Sequence, residues 1–156
     1  MHEFPRRVVI VERRLTHYRV PLFERLRELL AAMQIELVLL AGEATPEEKA
    51  KHDGGHLPWA IVIPTHYFLS GTVCWQPFGE HLRNVELVVV NHENKLLYNH
   101  WLLWAPRRFK LAFWGHGRNM HTDAANSLRE RFKRWTISKV DWWFAYTEIS
   151  VDLIAR

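Results

Sequence analysis

Residues 110–119 read KLAFWGHGRN, an apolar run that ends in a histidine between two glycines, followed by an arginine and an asparagine. Phe113 and Trp114 anchor the run, while Gly115 and Gly117 permit a sharp turn or a close backbone approach to a ligand. His116 is the group of interest. An imidazole is the side chain whose ordinary charge change lies near neutrality, and the pattern puts this one where a strand gives way to a helix with free backbone N–H groups. Such a group can orient a hydroxyl or answer a developing charge. The plainer alternative is an ordinary glycine-containing turn with its histidine in solvent, and so short a motif does not separate the two.

The elements that must position this histidine alternate along the chain. Strand-like runs fall at 7–11, 36–40, 59–63, 85–91, 110–114 and 142–146, most of them continuous apolar stretches of the kind buried on both faces. Helical patterns lie between several of them. Leu22, Leu26, Leu29, Leu30 and Met33 share one face opposite Glu24, Arg25, Arg27 and Glu28. Leu97, Trp101 and Trp104 repeat that spacing, with the tryptophans expected in the core, and so do Leu128, Phe132 and Trp135. This order predicts an α/β fold with a doubly wound parallel sheet, Rossmann-like, as one domain over residues 1–156. The polar segment 43–56 reads as an exposed loop with one short helical turn, and 78–83 as a short helix. The aromatic, proline-punctuated segment 65–79 fits either an extra hairpin or an irregular crossover.

In a parallel sheet the loops after the strands share one rim, and ligands bind there. That rim collects Arg13, Arg14, His17, Tyr18 and Arg19, then Gly42, Thr65 and His66. Asn91, His92, Glu93 and Asn94 follow the fourth strand, His116, Gly117, Arg118 and Asn119 the fifth, and Thr147 and Glu148 the last. Guanidinium groups grip phosphates in a bidentate way and amides bind hydroxyls directionally, so the rim suits a polyhydroxyl or anionic ligand.

Composition excludes several classes. The 156 residues are 48% apolar, with eight tryptophans and eight phenylalanines, so the chain is not disordered. A single cysteine, Cys74, cannot form an internal disulfide and fits a reducing compartment. No apolar window is long enough for a membrane span, and no secretory h-region follows MHEFPRR, so the expected location is the cytosol. The net charge of +4 is compatible with several anionic partners and specific for none. There is no recognisable nucleic-acid-binding module, and nucleic acid is not an expected partner. The first turn lacks GxGxxG, and neither GxxxxGK[ST] nor GxSxG occurs, so dinucleotide, P-loop and α/β-hydrolase readings have no support. His52 and His56 stand four apart, but the neighbouring glycines argue against a helix there, and no metal site is expected. The stretch 124–140 carries Arg129, Arg131, Lys133, Arg134 and Lys139 against Glu130, and its basic face permits peripheral contact with an anionic membrane surface.

Taken together, HYRVPLFERLREL after the first strand, GHG after the fifth, the basic helix and WWFAYTE before an incipient helix resemble the N-terminal lobe of glycosyltransferases with two Rossmann-like lobes. Among these GT-B enzymes the resemblance is nearest to family four, and it covers nearly the whole chain. It implies a retaining, metal-independent enzyme of cell-surface polysaccharide synthesis that moves a sugar from a nucleotide-sugar to a saccharide or lipid-linked acceptor. No cofactor is implied beyond the nucleotide-sugar substrate. By the same resemblance His116 is the catalytic-cleft histidine. Arg19 is an acceptor or phosphate contact, and Tyr18, Asn91, His92, Gly117, Arg118, Asn119 and Glu148 complete the substrate side. The sequence departs from the family in lacking the donor-binding lobe with its paired glutamates, and in replacing the short glycine turn after the first strand by Arg13–Arg19. It therefore reads as an acceptor-side lobe cut before its partner lobe and inactive alone, sited in the cytoplasm or peripherally at the inner face of a membrane. The alternative from another class is a non-enzymatic Rossmann-like module that binds an anionic ligand or a partner protein.

Overall fold

The computed structural model of the protein describes residues 6–115, 135, 136 and 138–146. Six parallel strands form one sheet: β1 (Arg6–Glu12), β2 (Ile35–Ala41), β3 (Ile61–Val62), β6 (Leu87–Asn91), β7 (Lys110–Gly115) and β8 (Trp142–Ala145). Their spatial order is β3-β2-β1-β6-β7-β8. With the intervening hairpin set aside, this is the 3-2-1-4-5-6 order of a Rossmann-like sheet, whose direction of progression reverses between β1 and β6. The α/β class expected from the alternating pattern is the class found.

The core follows from the period-two alternation of buried strands. Val9, Val11, Leu40, Val88, Val90, Leu111 and Phe113 face one side, where Phe78, Tyr98, Leu102 and Leu103 cover them. Ile10, Leu37, Leu39, Val89 and Ala112 face the other side with Phe23. Phe23 belongs to α1 (Val20–Ala32), which begins with Pro21 in its first turn after a 3₁₀ turn at His17–Arg19. Proline is tolerated there because the first helical N–H groups have no partner within the helix.

The helix buries a different stripe from the one the leucine spacing suggests. Phe23 is fully buried and Leu26 and Leu30 pack beside it, while Leu22, Leu29 and Met33 are exposed. A step of one residue turns the helix by about 100°, so seating Phe23 on the sheet swings Leu22 and Leu29 outward.

Segment 43–56 contains one helical turn, α2 (Pro46–Lys49), closed by a capping box between Thr45 and Glu48. Residues 65–79 contain a hairpin of β4 (His66–Phe68) and β5 (Val73–Trp75), joined through Leu69, Ser70 and Gly71, all at positive φ. A single 3₁₀ turn at Gly79–His81 replaces the expected helix. The third strand is shorter than its apolar run, because Trp59 and Ala60 sit in a turn closed by the Ala60 N–H to the Leu57 carbonyl.

Across the sheet α3 (Leu97–Trp101) buries Tyr98, Asn99 and His100. Trp101 and Trp104 are exposed rather than in the core, because Tyr98, Leu102 and Leu103 take the inward positions of that turn. Most of the basic stretch 124–140 lies outside the described residues. Among the described residues no helix is long and apolar enough to cross a membrane.

Candidate functional site at the strand switch point

Strands β1 and β6 end side by side, so Glu12 and Asn91 meet at the point where the strand order reverses. Glu12 closes the apolar run VVIVE and is only 2% exposed. Its carboxylate accepts hydrogen bonds from Arg19 Nη1 on one oxygen and from Asn91 Nδ2 on the other, the latter at 3.1 Å. Asn99 holds the strand end in place by donating to the Asn91 carbonyl at 3.0 Å. Arg19 Nη2 donates to the Tyr146 hydroxyl at 2.6 Å. The guanidinium also lies 5.4 Å from the Trp114 ring centroid and 5.2 Å from that of Tyr146. Four strand ends and the first loop thus supply one cluster: a carboxylate, an amide, a guanidinium, a phenol and an indole.

Burial pushes the Glu12 carboxyl above its ordinary range, and Arg19 and Asn91 offset this only in part. Burial works against the charge on Arg19 too, but Glu12 and Tyr146 outweigh it and hold the guanidinium protonated. Burial also raises the Tyr146 hydroxyl, which therefore stays neutral and able to donate.

The other arginines of the first loop are anchored as well. Arg13 clamps Glu48 through two hydrogen bonds of 2.8 and 2.6 Å and donates to the Tyr67 hydroxyl at 3.0 Å. Arg14 clamps Asp53 at 2.7 and 2.8 Å. Hydrogen bonds from Arg13 and Arg14 hold the Glu48 and Asp53 carboxyls down, each to about 2. Gln76, just past the hairpin, fastens this loop by donating to the Arg13 carbonyl at 2.8 Å and to Thr65 Oγ1 at 3.1 Å. Beside the clamps a cavity of about 250 Å³ opens among Arg14, Gly42, Glu48, Gly54, Gly55 and His56. Each of the three loop arginines is thus matched by a carboxylate, so among the described residues the rim carries a balanced set of donors and acceptors rather than a positive surface.

Of the site residues read from the sequence, Arg19 and Asn91 come together in this cluster. Tyr18 stands exposed on the 3₁₀ turn with its ring edge against His17. His92 is buried: its ring packs against Phe113 and Trp143 and its Nε2 lies 3.1 Å from Thr136 Oγ1. His116, Gly117, Arg118, Asn119 and Glu148 lie outside the described residues. The residues that sequence reasoning missed are Glu12 and Tyr146. The signal for Glu12 was present, since a carboxylate that ends a buried apolar strand needs a partner. Nothing local pairs Tyr146 with Arg19 across 127 positions.

His52 and His56 do not share a helix face, because α2 ends before them and His52 adopts a φ of 53°. Among the described residues no group of three or more His, Cys, Asp or Glu is placed to hold a metal ion. No protein-family model, curated protein or solved structure matches the chain.

Proposed function

We propose that the chain is the acceptor-binding lobe of a retaining GT-B glycosyltransferase, working at the inner face of a membrane on a saccharide or lipid-linked acceptor. The observation that carries the saccharide side of this reading is the charge balance of the rim. With Arg13, Arg14 and Arg19 each matched to Glu48, Asp53 or Glu12, a polyanion gains little from the described residues of this rim. A polyhydroxyl ligand gains directional partners from Arg19 and Tyr146, which buried Glu12 and Asn91 hold in place, with the Trp114 and Tyr146 rings as apolar walls. Residue 116 follows directly on the last residue of β7, a neighbour of β6 in the sheet. In this reading His116 faces the transferred sugar, and Gly117, Arg118, Asn119 and Glu148 extend the acceptor surface.

A nucleotide-sugar would be held by a second lobe, and transfer needs both walls of the cleft to hold the reactants and exclude water. Saturation-transfer NMR of the 156-residue chain with neutral di- and trisaccharides, and separately with nucleoside monophosphates, tests the reading. Saccharide contacts that Asn91→Ala abolishes are the expected result. Nucleotide binding without saccharide binding would overturn it. Saccharide binding by a two-lobe parent that transfers nothing would favour the binding module instead. The isolated chain is expected to transfer no sugar.

A further inference from the structure

Leu97, Trp101 and Trp104 stand four and three positions apart, so they share one face of α3 and the turn that continues it. That face points outward: the three residues are 44%, 50% and 64% exposed. A surface helix normally turns its polar side to water, and here the outward stripe is leucine and two tryptophans. The stripe continues onto a second chain segment, because the Trp104 and Trp135 rings lie 4.7 Å apart. Cations border it. Lys139 Nζ lies 5.5 Å from the Trp135 ring centroid, and Arg108 is exposed four residues past Trp104.

Next to the stripe, at the N-terminal ends of β6 and β7, an open cleft of about 700 Å³ is lined by Ala105, Arg107, Arg108, Lys110, Glu86 and Asp141, among others. Asp141 is matched by Lys110 at 3.0 Å and Arg107 at 3.6 Å, and Glu86 by Arg6 at 2.8 Å. With both carboxylates matched, Arg108 and Lys139 have no ion pair among the described residues and stand as positive charge beside exposed indoles.

We propose that this face docks the protein on an anionic phospholipid surface, with Trp101 and Trp104 at the headgroup–acyl boundary and Arg108 and Lys139 against lipid phosphates. Tryptophan suits that depth because it joins a large apolar ring to one N–H donor, and basic side chains add attraction to an anionic leaflet. Charge complementarity selects anionic over zwitterionic lipid. The cleft lies at the end of the sheet opposite the rim cluster, so docking here leaves the rim uncovered. The inference stands apart from sugar transfer and survives the failure of that reading.

Flotation with vesicles of phosphatidylcholine alone, or mixed equally with phosphatidylglycerol, tests it on the 156-residue chain. Binding is expected only with the anionic vesicles and weakens with added salt. Arg108→Glu with Lys139→Glu lowers the partition coefficient by at least about twenty-fold, taking about fivefold per charge removed. Brominated acyl chains quench the tryptophan fluorescence, and Trp101→Phe with Trp104→Phe removes most of that quenching while circular dichroism stays unchanged. Should a fold defect blur the tryptophan variant, the exposed charge pair decides alone. Equal binding to both vesicle types overturns the proposal, as does no binding. So does a response confined to Arg131→Glu with Arg134→Glu, which would move the contact to the basic stretch. Saccharide binding measured without vesicles is unaffected by either variant pair.

Discussion

Replacing Arg19 by methionine tests the switch-point cluster most directly. Glu12 keeps its burial and its Asn91 amide but loses its counter-charge. Breaking a buried pair from one side costs about 3–5 kcal/mol, because it strands an uncompensated charge. The carboxyl can escape that cost by taking up a proton, so the penalty depends on pH. Glu12 already lies above its ordinary range, and removing Arg19 removes a group that lowers it, so the variant's carboxyl rises further. A raised carboxyl binds its proton more tightly in the folded state, so stability is full below the unfolded value and falls as pH rises through the folded one. Each pH unit of that window contributes at most about 1.4 kcal/mol.

At pH 4, below the carboxyl's ordinary value of 4.5, what remains is the lost hydrogen bond to Tyr146 and the two ring contacts, about 1–2 kcal/mol. At pH 8, above it, the loss grows toward the stranded-charge cost of about 3–5 kcal/mol. Urea unfolding followed by tryptophan fluorescence at both pH values measures the difference. Adding Glu12→Gln to the variant should flatten the pH dependence and recover part of the loss. A loss that is the same at both pH values, or below about 1 kcal/mol near pH 8, refutes the account of Glu12 as a buried charge held by Arg19.

Three further substitutions probe other parts of the molecule. Gly42→Ala would drive a methyl group into Gln76 Nε2, the Arg13 carbonyl oxygen and Thr65 Oγ1, so thermal unfolding should show a loss of about 1–3 kcal/mol from overpacking. Glu48→Gln should flatten the acid limb of the stability curve. The Glu48 carboxyl is held at about 2 by Arg13, so its contribution is present above its ordinary value of 4.5 and is lost as pH falls toward 2; acid titration of wild type and variant by circular dichroism reads this out. In a two-lobe parent enzyme His116→Ala should lower kcat by about 10²-fold with little change in Tm, while His121→Ala does much less. A kcat within about a factor of two of wild type would remove His116 from the chemistry.

The fold was legible because strands buried on both faces cannot hide their composition. Runs such as VVIV in β1 and LVVV in β6 have no other stable setting, and the helical spacings between them imply parallel pairing. Legibility stopped where one residue decides between neighbours. Counting leucines in α1 could not show that Phe23, the largest apolar side chain on that helix, takes the central seat and turns Leu22 and Leu29 to water. The same limit put Trp101 and Trp104 in the core, although Tyr98 and Leu102 fill that space. At the rim, sequence order correctly gathered Arg13, Arg14 and Arg19 but not the partners that neutralise them. Those partners come from β1 itself, from α2 and from the loop after it.

The cluster also bears on the order in which the molecule assembles. Its contacts join residues 79 positions apart between Glu12 and Asn91, and 127 apart between Arg19 and Tyr146. Strands β1 and β2 can pair early around the short α1 connection, whereas contacts of such separation form only after long loops have closed. The rim is therefore complete only when β8 has docked against β7. A chain stalled short of that step would hold much of its sheet and still lack Tyr146 over Arg19. Any ligand that engages both would bind the finished fold alone, drawing late intermediates to completion by mass action.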